Sequence, residues 1–267
     1  MATETYTLGY GPASLSIMSS RTAESHAGFF VSRLRSGMKV LDIGCGPGTI
    51  TSGIAERVRP GSVVGVDVMI EQTSAVAEEV RQRELDVTFV EAKAYSLPFP
   101  ANHFDAVFIS ALLGNLSDPH AALVEARRVT KARGIIGVKE FDEAAHIIYP
   151  EVEAQTRLQE LYMRLRQYHG HDPRIGRKVR SYLNAAGFNE VRVAAVFEPA
   201  TRRPGATANG FIETMVRNKW GKQFVDLGWA TEEQVEDWLA QSEAYGADQD
   251  DFCARAWVEA TALKTDE

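Results

Sequence analysis

The residues best suited to chemistry are gathered at Gly44-Cys45-Gly46-Pro47-Gly48 and at Asp67. A turn without side chains lets backbone N–H groups approach a ligand closely and tolerates positive φ. An acid at the end of the following strand can accept two hydrogen bonds from the vicinal hydroxyls of a ribose. Together they predict an adenosine-type ligand. The spacing Gly44-x-Gly46-x-Gly48, followed by Thr49, is not the Gly-x-Gly-x-x-Gly of dinucleotide binders, and no Gly-Lys-Ser/Thr ending marks a triphosphate loop.

The elements that must position these residues read clearly. Lys39-Val40-Leu41-Asp42-Ile43 is a short buried strand, the glycines turn the chain, and Ile50, Ile54, Ala55 and Val58 form the inner side of a helix. Strands at 63–66, 87–90, 104–109 and 135–139 alternate with helices at 71–84 and 119–131. That alternation predicts parallel βαβ units. Ahead of them, Ala23, Ala27, Phe30, Val31 and Leu34 make one stripe of a helix over 22–34, stopped by Gly37. Beyond them, a helix spans 151–169. Gly170-His171-Asp172-Pro173 then supplies a cap and a first-position proline for a helix ending at Gly187. A strand over 191–197 finds a late partner at 252–263. Residues 205–246 read as a helical insertion, with Thr231-Glu232-Glu233-Gln234 as a capping box.

Val40-Leu41-Asp42-Ile43-Gly44-Cys45-Gly46-Pro47-Gly48-Thr49 resembles the first motif of class I S-adenosylmethionine-dependent methyltransferases. The likeness extends to Val64-Gly65-Val66-Asp67, Leu97-Pro98-Phe99, Asn102-His103-Phe104-Asp105-Ala106-Val107 and Glu125-Ala126-Arg127-Arg128-Val129. It is nearest the ubiquinone/menaquinone-biosynthesis-like branch of small-molecule and natural-product enzymes, and it covers about residues 20–200. The implied fold is α/β and Rossmann-like: a mostly parallel seven-stranded sheet, helices on both faces, and a helical insertion before the last strand. The expected organisation is a single domain over 1–267, with a helical lid at 1–36, a cofactor core at 37–200, the insertion at 205–246 and the last strand at 252–264.

The resemblance implies S-adenosyl-L-methionine as cofactor. It places Gly44, Cys45, Gly46 and Gly48 along its methionine portion, with Asp42 positioning the loop, Asp67 holding the ribose, and Val68 and Met69 beside adenine. Where relatives often carry Gly-Asp-Ala, this chain has Ala92-Lys93-Ala94. Lys93 cannot accept a hydrogen bond from adenine, which leaves that task to the backbone at Ala94 and Tyr95 or to a neighbour. Ser110 and Ala111 fall where the family contacts cofactor and substrate. The implied reaction is methyl transfer to an O, N or C atom of a small organic molecule. The alternative is a cyclase or pericyclase-like enzyme that binds the cofactor and leaves its methyl group in place.

Methyl transfer demands in-line placement and exclusion of water, and a base only for some acceptors. Glu140 and Asp142 follow the fifth strand at the ligand-binding end of the sheet. Glu140, His169 and His171 are the candidate bases, with His146 a further one. Each histidine also reads as an ordinary surface or hydrogen-bonded residue, and His169 and His171 are too few and too close for a metal site, so none is expected. Tyr6 and Tyr10 on the leading segment, and Phe211 and Met215 in the insertion, are the candidate substrate contacts. The insertion's aromatics read equally as core. Arg174, Arg177, Lys178 and Arg180 form a basic run that reads as a solvated face, a site for a carboxylate-bearing substrate or a homo-oligomer contact.

Composition narrows the field further. A formal charge of −7 opposes a broad phosphate-binding surface, so nucleic acid is not expected as a partner. No stretch has the length and apolarity of a membrane span, and two cysteines, one of them within the glycine turn, fit a reducing compartment. A cytoplasmic protein acting on a small molecule is the expectation.

Overall fold

The computed structural model describes residues 6–199, 210–246, 250 and 252–265. Two helices lead the chain: α1 (Pro12–Ser19), which the sequence reading missed, and α2 (Ala23–Val31). Thr22 caps α2. Its hydroxyl oxygen accepts the Ser25 N–H at 3.2 Å, and the Ser25 hydroxyl oxygen accepts the Thr22 N–H at 3.0 Å.

The core then alternates as expected through β1 (Lys39–Ile43), α3 (Thr49–Val58), β2 (Ser62–Asp67), α4 (Ser74–Gln82), β3 (Val87–Glu91), β4 (Phe104–Ser110), α5 (Pro119–Val129) and β5 (Thr130–Phe141). Next come β6 (Ile147–Tyr149), α6 (Glu153–Tyr168), α7 (Val179–Ala185) and β7 (Asn189–Pro199). The helical insertion consists of α8 (Gly210–Met215), a π-helical turn over Val216–Trp220, α9 (Gly221–Asp226) and α10 (Glu232–Gly246). It leads into β8 (Phe252–Leu263).

The sheet runs β3-β2-β1-β4-β5-β8, with β7 on the far edge of β8. The first five strands are parallel, and β8 is antiparallel to β5 and to β7. Eight strands stand where seven were expected. The extra one, β6, is three residues long and pairs with Phe252–Ala254 of β8, continuing the edge that β5 leaves at Phe141. So short a strand carries no alternation for a sequence reading to detect.

Both faces of the sheet are covered. On one, Phe30 of α2 is fully buried and stacks on Phe108 with ring centroids 5.1 Å apart. It lies against Gly137 of β5, where a Cβ would come within 2.4 Å of the ring. Burying such a side chain contributes roughly 2–3 kcal/mol, and Gly137→Ala would displace it. The other face packs α5 and α7 through Leu123, Ala126, Val179 and Leu183.

The insertion's aromatics resolve mainly as core. Trp220 and Phe224 are buried, and Trp220 stacks on Tyr162 of α6 at 4.4 Å. The leading segment is fastened to this layer, because the Trp220 indole N–H donates to the Thr7 carbonyl at 3.1 Å. Its capping box forms as read: Gln234 N–H donates to Thr231 Oγ1 at 3.2 Å, and Thr231 N–H to Gln234 Oε1 at 2.9 Å. The Asp172 cap does not form as expected. That carboxylate accepts the Arg174 N–H at 3.0 Å in a local turn and pairs with Lys178, and helical structure begins only at Gly176. No described helix is long and apolar enough to cross a membrane.

Candidate active site

The first crossover builds the site. Gly44, Gly46 and Gly48 adopt φ of +75°, +53° and +89°, a region costly for residues with a Cβ. Crowding adds to this at two of them. A Cβ at Gly44 would meet Leu112 at 3.0 Å, and one at Gly48 would meet the Phe89 ring at 2.7 Å. The Gly44 and Cys45 N–H groups both donate to the Val66 carbonyl, at 2.7 and 3.0 Å, which clamps the turn to the end of β2.

Two carboxylates support this turn. Asp42 is buried and accepts the Thr51 hydroxyl at 2.6 Å, tying β1 to α3. Burial pushes it up to about 7, and Asp67 nearby adds to the rise against the opposing Thr51 bond. Asp67 accepts the Gly46 N–H on Oδ2 and the Met69 N–H on Oδ1, each at 3.0 Å. Burial raises its pKa, opposed by these N–H bonds and by the Gln72 side chain. The Cys45 thiol is likewise raised well above its ordinary range by burial and by Asp42 and Asp67, which keeps it a thiol.

A cavity of about 670 Å3 opens over the C-terminal ends of the strands, the ligand-binding end of open α/β sheets. Of the residues the sequence singled out for cofactor, Asp42, Gly44, Cys45, Gly46, Asp67, Val68, Lys93, Ala94, Tyr95, Ser110 and Ala111 line it. Gly48 and Met69 do not: Gly48 ends the turn as the cap of α3, and Met69 is turned to solvent. Tyr6, Tyr10 and His169 line it as well, the two tyrosine rings lying 5.1 Å apart.

Three expected residues sit elsewhere. Glu140 is fully buried and does not line this cavity. Its Oε1 accepts the Leu112 and Leu113 N–H groups at 2.8 and 2.7 Å, so that oxygen holds the loop after β4, while Oε2 is buried without a hydrogen-bond partner among the described residues. Burial raises it to about 7, against those two bonds and the Arg166 charge. His171 is buried beneath the wall, with its Nδ1 2.8 Å from Thr7 Oγ1. Met215 packs in the helical core against Ser14. The Phe211 side chain lies outside the described residues.

The basic run is occupied structurally. Arg177 grips Asp142 with two bonds of 2.6 and 2.7 Å, and Arg180 donates to the Val191 carbonyl. His146 has both ring nitrogens engaged. Nδ1 accepts the Ala256 N–H at 3.1 Å, so the proton sits on Nε2, which donates to Glu143 at 2.7 Å. With this partner and the Arg166 and Arg255 charges outweighing its burial, Glu143 is held down near about 2.

The sequence reading passed over Arg21, Gln72 and Asn115, all of which line the cavity. Gln72 Oε1 is buried without a hydrogen-bond partner among the described residues. Asn115 Oδ1 accepts from Arg166 at 2.9 Å, and its Nδ2 donates to the Ala111 carbonyl at 2.8 Å. None belongs to a periodic pattern. Arg21 follows a helix that was itself unread, Gln72 lies at the start of the helix read over 71–84, within the short 3₁₀ helix Ile70–Thr73, and Asn115 ends another, Leu113–Asn115.

The sequence model for a methyltransferase domain, Methyltransf_11, matches residues 41–138, from the middle of β1 through most of β5. Residues 41–138 therefore form a methyltransferase domain. The chain is 36% identical to an uncharacterized methyltransferase of Schizosaccharomyces pombe over 61% of this chain and 60% of that one, so it spans less than two thirds of that relative. It is 27% identical to the protein named "Probable methyltransferase ltbC" of Aspergillus luteorubrus over 98% of each. The crystal structure of YcgJ from Bacillus subtilis superimposes with a TM-score of 0.60 at 19% identity, covering 90% of this chain and 98% of that one, a likeness of fold alone.

Proposed function

We propose that this protein transfers the methyl group of S-adenosylmethionine to an oxygen, nitrogen or carbon atom of a small organic molecule. One observation carries the reading: a single cavity is bordered by the glycine turn and Asp67 and also by Tyr6, Tyr10, His169, Ala111 and Asn115. Cofactor and acceptor can therefore meet in one shared space.

The residues present fit the cofactor. The Gly44 crowding leaves space only for bare backbone, Asp67 has lone pairs left for ribose hydroxyls, and the orphaned Gln72 Oε1 requires a donor. Gln72 takes over the acceptor role that Lys93 cannot fill. Val68, Ala94 and Tyr95 border adenine, and Ser110 and Ala111 border the reacting end.

When bound, the sulfonium supplies an electrophilic methyl carbon and leaves as a neutral thioether. The chain's own work is to align the acceptor and exclude water. His169 is the residue placed to take an acceptor proton. Its Nδ1 lies 3.0 Å from Thr7 Oγ1, which also contacts His171 Nδ1. A hydroxyl has one hydrogen and two lone pairs, so Thr7 can donate to at most one ring, and at least one of the two histidines carries a proton on Nδ1. Burial, then Lys219, lowers the His169 pKa, which keeps the ring neutral and so able to accept a proton, though as a weaker base than a free imidazole. The buried free thiols Cys45 and Cys253 support action in the reducing cytoplasm.

The test is incubation with methyl-labelled S-adenosylmethionine and a panel of phenols, amines and carboxylic acids. Label in a product, with equimolar S-adenosylhomocysteine, is expected. A product formed without S-adenosylhomocysteine would move the chain to the cyclase reading, and failure to bind the cofactor would end both.

A further inference from the structure

Behind the main cavity lies an inner chamber of about 40 Å3, and Tyr6, Arg21, Ala111 and Asn115 border both spaces. Its walls are aromatic, from Phe141, Tyr162 and Trp257, yet its charges are mostly of one sign. Arg21, Arg166 and Arg255 line it together with one carboxylate, Glu143, and Arg255 is itself engaged by a further group. That carboxylate is already engaged by His146 at 2.7 Å and by the Tyr162 hydroxyl at 3.3 Å. The next carboxylates out are also occupied: Glu140 holds the loop after β4, and Glu198 pairs with Lys139 at 2.5 Å.

Arg166 is likewise committed, donating to Tyr162, to the Gly114 carbonyl and to Asn115. Arg21 differs. Among the described residues its guanidinium makes no hydrogen bond or ion pair; it lies 5.3 Å from the Trp257 ring centroid and feels Glu198 and Glu140 only through longer-range attraction, opposed by Arg255. A half-buried cation facing an apolar wall, with further guanidiniums nearby, is electrostatically unfavourable unless an anion joins it.

We infer that the inner chamber is a carboxylate pocket anchored by Arg21, and that the methyl acceptor is a small carboxylic acid. The inference rests on the methyl-transfer reading above and names its substrate class. A guanidinium presents a planar fork that a planar carboxylate matches with two parallel bonds. The volume admits a head group of a few atoms and no more, so the body of the acid stays in the main cavity, beside Ala111 and His169. Trp257 and Phe141 flank the carbons next to the carboxylate. An inward-facing anion thus sets which end of the molecule meets the methyl group.

The experiment uses the full chain saturated with S-adenosylhomocysteine, titrated calorimetrically with para-hydroxybenzoate and with the neutral isostere para-hydroxybenzamide. The acid is expected to bind roughly tenfold or more tightly than the amide, the scale of charge-assisted hydrogen bonding. Arg21→Gln should bring the two within about twofold, and Arg21→Lys, which keeps the charge and loses the fork, should fall between. Melting curves of both variants establish that they are folded, and either variant alone suffices for the comparison. Equal affinity for acid and amide, no saturable binding of the acid, or an undiminished preference in Arg21→Gln overturns the inference. S-adenosylhomocysteine that binds normally beside such a result leaves the methyl-transfer reading standing, whereas its failure to bind the unsubstituted protein sinks that reading first.

Discussion

Asp67 Oδ2 accepts the Gly46 N–H at 3.0 Å, so the acid at the end of β2 also fixes the shape of the turn that follows β1. Removing it would free the glycine turn and, on the proposed reading, take away the acceptor for a bound ribose. Asp67→Ala should weaken S-adenosylhomocysteine binding by about 2 kcal/mol, roughly thirtyfold. Calorimetric titration gives the answer, and an unchanged affinity would mean that the ribose lies elsewhere.

Gly48→Ala combines two penalties that fall on stability. The residue sits at φ +89°, and its new methyl would lie 2.7 Å from the Phe89 ring. The backbone cost alone is about 1–2 kcal/mol, and the displaced ring adds to it. Urea unfolding should show a lowered midpoint. An unshifted midpoint would show that the turn relaxes freely.

The raised pKa of Glu140 makes a prediction about pH. Unfolded, the carboxyl ionises near its ordinary 4.5; folded, burial holds the proton until about 7. The folded state therefore binds more protons across that window, and stability falls as pH rises through it. Glu140→Gln keeps an oxygen for the Leu112 and Leu113 N–H groups and cannot titrate. Its stability relative to the parent should rise from about pH 4.5 to about 7, by on the order of 3 kcal/mol. Parallel stability-versus-pH curves for the two proteins would refute this.

Lys139 on β5 is 1% exposed and reaches Glu198 on β7 and Glu259 on β8, at 2.5 and 3.2 Å. Lys139→Met would leave two carboxylates beside an apolar side chain. Breaking a buried ion pair from one side typically costs about 3–5 kcal/mol, and a loss near the lower end is expected because Glu198 is partly solvated. Denaturation at two salt concentrations measures it, and a neutral result would contradict the structural role.

The parts of the site that the sequence made legible are those where local chemistry leaves little choice. Positive φ at Gly44 and Gly48 requires residues without a Cβ, the alternation of β1 through β5 follows from burial on both faces, and Thr231 with Gln234 is a self-contained cap. What stayed hidden depends on tertiary contacts. Glu140 looked like a base because it ends a strand at the right edge, and only the fold shows its oxygen committed to Leu112 and Leu113. His171 looked equivalent to His169 until Thr7, more than a hundred and sixty residues away, was seen between them. Arg21 had no signal at all, since an unpaired charge is defined by what fails to surround it.

The placement of β8 has a consequence for biosynthesis. Residues 252–263 thread between β5 and β7, antiparallel to both. While a ribosome is still translating the insertion, those two strands have no common partner, and each displays an open row of amide and carbonyl groups. The nascent polypeptide therefore carries two sticky borders until its last dozen or so strand residues emerge, and that interval is when assistance from chaperones would matter most.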